Sequence, residues 1–345
     1  MEPPPGFNIP EGHILKLKKG MYSTKQGGCI WYEEMRGTLS EMGYMRMEVD
    51  HAVFVCETDG FPDIITLYMD DMGLISESLE CILQDKEALH NHYQMTDLGK
   101  MGWILGIRIT RDHKKGTLAL SQKKFINETL ECYGMSNSHP ISTPALPNKH
   151  LVKLSSPEVD AKSYQHTLSS LMYPMLGTQP DLGYAIAALG RHTALSHHAT
   201  NPGPDHQCTL KRVFCYLRAT HDQQLVFGQG TANGSTLIGY ADSDWASNVN
   251  DRKSTSGYMF KLAGAAVSWS SKKQTTVALS STEAEYIAGA HTAKEAIWLR
   301  QLLSKLGQGT HPTPLLINNQ SAIVITKNPK FHDRTKHINI CYHFL

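Results

Sequence analysis

Gly239-Tyr240-Ala241-Asp242-Ser243-Asp244-Trp245, then Ser280-Ser281-Thr282-Glu283-Ala284-Glu285-Tyr286, then Asn318-Asn319-Gln320-Ser321-Ala322: the reading of these three segments decides the fold. The pattern around them, from about Gly234 onward, is strand, hairpin, helix, strand, helix. That is an α/β layout around a mixed sheet. Tyr258, Phe260 and Leu262 alternate, Ala263-Gly264 supplies a turn, and Val267 and Trp269 continue on the return strand. Further on, Leu299, Leu302, Leu303 and Leu306 share one helical face and Gly307 supplies the stop. Asp242 therefore ends a predicted strand, a suitable place for a ligand at the centre of the sheet. Glu283 begins a helix three residues after Ser280, so it fits a Ser-x-x-Glu capping box as well as it fits a metal ligand. Asp244 is either solvated or a cap beside Trp245. Asn318, the third candidate, is an amide: it offers a neutral oxygen and no negative charge.

Upstream of Gly234 the organisation is different. Pro3, Pro4 and Pro5 disfavour a helix at the start. Residues 29–47 look helical and then turn; residues 52–56 and 61–76 look like strands, the second folded at Asp70-Asp71. A helix over 77–93 leads to the alternating stretch Trp103–Ile109 and a turn at Lys115-Gly116. Pro140 to Ser156 carries three prolines and little periodicity, and reads as a linker. Residues 162–220 are mostly helical, with breaks at Gln179-Pro180-Asp181 and Asn201-Pro202-Gly203-Pro204. There is no internal repeat.

A second constellation lies in this upstream part. Ile64, Ile65, Leu67 and Met69 precede Asp70-Asp71, and Met72, Leu74 and Ile75 follow. Two strands with an Asp-Asp tip would hold a pair of carboxylates on rigid elements, where they can bind Mg²⁺ and assist phosphoryl chemistry. Aspartate is also a common turn residue, so a solvated hairpin turn stands beside that reading.

Composition excludes several classes. The 345 residues are 41% hydrophobic and 19% charged, which describes a globular chain of two or three domains, not a disordered one. A net charge of +1 gives no global field for nucleic acid, so phosphate binding has to come from local patches. Lys272-Lys273 and Lys211-Arg212 are such patches; the competing reading is ordinary surface charge. The 7 cysteines include no Cys-x-x-Cys pair, which argues against a zinc site or a disulfide scaffold and fits a reduced compartment. No apolar run approaches a membrane span, and Met1–Phe7 lacks the features of a signal peptide. The expected localisation is intracellular, cytoplasmic or nuclear, with no secretion and no membrane partner.

Taken in order, these segments resemble the Pol polyprotein of copia-type retrotransposons. The upstream half resembles its reverse transcriptase, whose signature is Tyr-x-Asp-Asp, here Tyr68-Met69-Asp70-Asp71. The match continues through Leu17-Lys18-Lys19-Gly20, Lys25-Gln26 with Trp31-Tyr32, Asp97-Leu98-Gly99, Leu105-Gly106-Ile107 and Leu120-Ser121-Gln122. Leu171-Met172-Tyr173 and Pro180-Asp181 resemble the segment connecting polymerase to nuclease. Asp251–Tyr258, Trp269–Gln274 and Glu295–Leu299 resemble the ribonuclease H domain. The resemblance implies a mixed α/β (α+β) fold: a truncated palm and thumb over 1–139, a linker and helical connection over 140–232, and a ribonuclease H-like domain over 233–345. It implies Mg²⁺ or Mn²⁺ as cofactor, held by Asp70, Asp71, Asp242 and Glu283. It also implies nucleic-acid contact at Lys25, Gln26, Lys272 and Lys273. The partners would be an RNA–DNA hybrid or a primed RNA template, and other retrotransposon products.

The departures from the family qualify its activity. The family's first polymerase aspartate lies upstream of the segment matching Met1–Phe7, so no DNA synthesis is expected from these residues alone. At the nuclease site Asn318 stands where the family has its third acid. Asn339, in Lys336-His337-Ile338-Asn339, stands where aspartate is common; the fourth acid is either that residue or one in a tail beyond Leu345. His337 and His343 resemble a loop histidine that aids product release, or are solvated. The expectation is a fragment impaired in catalysis. The alternatives are a non-catalytic nucleic-acid-binding protein and a degenerate element product without a selected role.

Overall fold

A computed structural model describes residues 10, 13, 20–21, 24–57, 60–146, 149, 151–152, 159–190, 202–228, 236–309, 311–327 and 337–343. The expectations for Met1–Phe7, for Leu17-Lys18-Lys19 and for most of 147–158 lie outside these residues. The fold is mixed α+β, with eight α-helices and three four-stranded sheets among the described residues. It divides into two compact units, Met1–Lys100 with Gln301–Gln308, and Met101–Arg300 with Gly309–Leu345.

In the first unit, helix α1 spans Lys25–Glu41. It starts four residues earlier than the sequence suggests because the Thr24 hydroxyl accepts the Gly27 amide at 3.0 Å. A four-stranded antiparallel meander follows in sequence order: β1 Met45–Arg46, β2 Val53–Cys56, β3 Asp63–Tyr68 and β4 Asp71–Ile75. Helix α2, Leu79–His92, is capped by the Ser78 hydroxyl. Met35 and Leu39 of α1, Phe54 and Ile65 of the sheet, and Leu89 of α2 form one core with Tyr44.

The second unit opens on a hairpin that alternation alone does not show. The alternation over Trp103–Ile109 suggests one strand, but the chain folds back between β5, Trp103–Ile104, and β6, Ile107–Asp112. Leu105 and Gly106 both take positive φ, 50° and 73°, as a two-residue turn of this kind requires. Glycine does this freely; for Leu105 the strain is offset by the Tyr173 hydroxyl, which donates to its carbonyl. Strand β7, Thr117–Ser121, and β8, Leu225–Phe227, complete an antiparallel sheet ordered β5-β6-β7-β8.

Helices α3 Lys123–Cys132, α4 Ala161–Gly177, α5 Gly183–Gly190 and α6 Pro204–Thr220 enclose the largest core. Leu171, Leu182, Leu189, Val213 and Leu217 are fully buried in it. The breaks are where proline and the preceding residue oppose helical geometry, at Pro180 and before Pro204.

The third sheet is ordered β11-β10-β9-β12, from β9 Ile238–Asp244, β10 Thr255–Leu262, β11 Ala265–Lys273 and β12 Leu315–Ile317. Strands β9, β10 and β11 are antiparallel neighbours, whereas β12 runs parallel to β9. A parallel return needs a crossover, and the 25-residue helix α7, Ser281–Lys305, lies within that connection. Gly239 of β9 admits no side chain: a Cβ there would lie 2.6 Å from both Leu315 and Phe260. Helix α8, Gln320–Lys327, follows β12. No helix among the described residues is long and apolar enough to cross a membrane.

Candidate nucleic-acid and metal site

In the first unit, β3 and β4 pair Tyr68 with Asp71, leaving Met69 and Asp70 as the two-residue tip. Both aspartates are exposed. Met69 has φ 50°, a conformation that side chains other than glycine's resist. The Trp31 indole N–H, from α1, donates to the Met69 carbonyl at 3.2 Å and anchors the tip. Sequence reasoning gave Trp31 no such role, since the contact joins residues 38 positions apart. Lys25 and Gln26 are exposed on the first turn of α1.

In the second unit, the parallel register Ile317↔Ala241 sets the next residues, Asn318 and Asp242, side by side at the sheet end. The Asn318 amide Nδ2 donates to Asp242 Oδ1 at 3.4 Å. The Ser243 backbone N–H donates to Asp242 Oδ1 at 3.0 Å and to Glu285 Oε1 at 3.2 Å. Glu285 is 6% exposed and its Oε2 is buried without a hydrogen-bond partner among the described residues. Burial, with the Asp242 charge as a further cause, pushes the Glu285 carboxyl above its ordinary 4.5.

Glu283, the sequence candidate, is placed differently. Its Oε2 accepts the Leu279 amide at 2.7 Å and its own N–H donates to Ser280 Oγ at 3.1 Å. The cap reading describes its contacts, and a third contact, His337 Nε2 at 3.4 Å, uses the same carboxylate oxygen. Two residues along a helix turn about 200°, so a Glu283 that points back at the cap leaves Glu285 facing the strand end. Glu285 is the acid set beside Asp242, and sequence reasoning did not name it. The second glutamate in Thr282-Glu283-Ala284-Glu285, displaced from the cap position, was the available signal.

The remaining candidates do not join this group. Asn339 caps the short 3₁₀ turn Ile340–Tyr342, its Oδ1 accepting the Cys341 amide at 3.1 Å. Lys273 is held by Asp251 at 2.7 Å, while Lys272 is exposed. His343 meets the Tyr286 hydroxyl at 3.1 Å. Arg212 donates to Thr143 Oγ1 at 2.7 Å. Trp245 and Trp269 direct their indole N–H groups to the carbonyls of Ala278 and Met175.

Asp242 and Glu285 supply two hard oxygen ligands, and the buried Glu285 Oε2 has no hydrogen-bond partner among the described residues, which suits one cation. No cluster of three or more His, Cys, Asp or Glu side chains able to hold a metal occurs among the described residues; the side chain that meets Asp242 from β12's end is the amide Asn318.

Comparison with known proteins places the chain. Residues 1–147 match the reverse transcriptase (RNA-dependent DNA polymerase) family. The Retrovirus-related Pol polyprotein from transposon TNT 1-94 of Nicotiana tabacum is 36% identical over 100% of this chain and 26% of its own length. The corresponding polyprotein from transposon RE2 of Arabidopsis thaliana is 33% identical over 100% of this chain and 23% of its own length. The putative transposon Ty5-1 protein of Saccharomyces cerevisiae is 31% identical over 85% of this chain and 93% of its own length. The chain belongs to the copia-type retrotransposon Pol family. It spans about a quarter of the length of the two Pol polyproteins. Within that family the chain is a Pol fragment carrying a reverse transcriptase domain, and its mixed α+β fold agrees with that membership.

Proposed function

We propose that this copia-type Pol fragment engages an RNA–DNA hybrid or primed RNA template inside the cell, and that its hybrid-cleaving centre is impaired. The observation that carries this reading is the donation from Asn318 to Asp242 beside the buried Glu285. Residues 1–139 act as polymerase palm and thumb, 140–232 as linker and connection, and 233–345 as the ribonuclease H-like part. Asp70 and Asp71 present two carboxylates from an anchored tip, and Asp242 with Glu285 presents two more. A bound Mg²⁺ or Mn²⁺ would supply charge neutralisation at phosphate oxygens and activate water. The chain's own part is to place carboxylates rigidly and to exclude bulk water from Glu285.

Hybrid cleavage uses two cations about 4 Å apart. An amide in place of an acid removes one unit charge, worth about 4 kcal/mol at 4 Å and an effective dielectric of 20. In a rate this is roughly a thousandfold. Lys25, Gln26 and Lys272 are exposed and free to meet phosphates; Lys273 would first have to leave Asp251. The same contact from Asn318 favours a second reading, a protein that holds hybrid without cutting it. Fluorescence anisotropy with a labelled hybrid at moderate salt tests the shared part. Binding that weakens with salt and survives Asp242→Asn is expected, and absence of binding would overturn the reading.

A further inference from the structure

We propose that the last turn of α4 is a two-position latch: the strained Leu105-Gly106 turn, acting through Tyr173, sets whether Trp269 of β11 keeps the acceptor it has on α4. The strain is the first observation. Leu105 stands at φ 50° and Gly106 at 73°, and the Tyr173 hydroxyl donates to the Leu105 carbonyl. A leucine held at positive φ relaxes when released and its carbonyl turns away, so the strain persists only while the Tyr173 bond does. Tyr173 is itself confined. Its ring meets Phe125 edge-on at 4.5 Å, and a Cβ at Gly106 would lie 2.7 Å from its hydroxyl oxygen.

The second observation is how α4 ends. The final carbonyls of a helix have no helical partner and need donors from elsewhere. The Trp269 indole N–H supplies one, to the Met175 carbonyl at 2.9 Å, and Gln122 Nε2 supplies another, to the Tyr173 carbonyl at 3.2 Å. Pro174, between Tyr173 and Met175, brings no amide hydrogen to this turn. A movement of Tyr173 therefore reaches Met175 through a single turn that is one helical bond short. Past that turn the chain is fixed and cannot absorb the movement. Thr178 Oγ1 donates to Gln122 Oε1 at 2.9 Å and Gln179 Nε2 donates to the Thr220 carbonyl at 3.0 Å, with both glutamines buried. While Leu105 is held, the hairpin, the end of α4 and β11 are tied together. Once it is released, Trp269 loses its acceptor and β11 its tie to α4.

The test is nuclear magnetic resonance of the 345-residue chain carrying nitrogen-15 tryptophan. Its 5 indole N–H signals are assigned by single replacement, and circular dichroism verifies that each variant is folded. Tyr173→Phe deletes only the hydroxyl, and the methyl of Gly106→Ala displaces Tyr173 from the hairpin side. Each should shift the Trp269 signal and speed its deuterium exchange roughly tenfold, the worth of one hydrogen bond. Tyr133→Phe, which deletes a hydroxyl that meets His166 in the same group of helices, should do neither. Coupling is reciprocal, so Trp269→Phe should speed exchange of the Ile109 amide, which donates to the Gly102 carbonyl at 2.8 Å beside the hairpin. A Trp269 signal unmoved by Tyr173→Phe, or moved as far by Tyr133→Phe, would overturn the inference.

Discussion

The Ser243 N–H sits 3.2 Å from Glu285 Oε1 while also reaching Asp242 Oδ1, so one backbone donor holds two carboxylates at a strand end. A single amide cannot neutralise both. Burial therefore holds the Glu285 carboxyl above its ordinary range, and without a cation the pair opposes folding at neutral pH.

The two glutamates of α7 should respond oppositely to the same substitution. For Glu285 the folded-state pKa is raised, so its contribution to stability is full below the unfolded value and declines as pH rises through the folded one. Glu285→Gln should raise the metal-free unfolding midpoint at pH 7 and flatten that decline. Glu283→Gln weakens a charge-assisted cap on Leu279 and should lower stability by about 1 kcal/mol. Thermal unfolding in chelator measures both, and equal shifts of the same sign would refute the assignment of roles.

His206 supplies an acid-side prediction. Burial pushes its imidazole below the ordinary 6.5, and Nδ1 accepts the Gly203 amide at 3.1 Å at the start of α6. A depressed folded pKa means stability present above about 6.5 and lost as pH falls through the folded value. Urea unfolding should show a midpoint that drops from pH 7 to pH 5. His206→Gln should reduce that drop; an unchanged slope would show that other groups cause it.

The polymerase-like tip should be sensitive to its anchor. Trp31→Phe deletes the donor to the Met69 carbonyl and should cost about 1 kcal/mol in unfolding free energy. Met69→Gly removes the strain at φ 50° and should be neutral or stabilising by about 1 kcal/mol. Chemical denaturation of the two variants checks the signs, and a destabilising Met69→Gly would mean the 77% exposed side chain has a packing role.

Much of the architecture was legible because it is local. Tyr258, Phe260 and Leu262 alternate on β10 as expected, Ala263-Gly264 turns with φ of 50° and 90°, and Gly307 follows α7 at φ 73°. The Asp-Asp hairpin was equally readable from alternation, and α2 falls within the helix expected over 77–93. The Leu105-Gly106 turn was not legible from alternation, because its strained leucine is held by Tyr173, 68 residues away. Strand β8 is three residues long and is defined by pairing with β7, more than a hundred positions earlier, so no local pattern announces it. At the site, Asp242 and Asn318 were legible as a pair. Glu283 was named from the sequence and Glu285 was not, because which carboxylate the helix start consumes is a matter of three-dimensional direction.

The most direct test of the central claim is cleavage of an end-labelled RNA strand in an RNA–DNA hybrid, in Mg²⁺ and in Mn²⁺. The unmodified chain should cut no faster than Asp242→Asn. Asn318→Asp, which returns the missing charge beside Asp242, should cut faster than the unmodified chain. Robust metal-dependent cutting by the unmodified chain, abolished by Asp242→Asn, would show that Asp242, Glu285 and an amide suffice and would contradict the account.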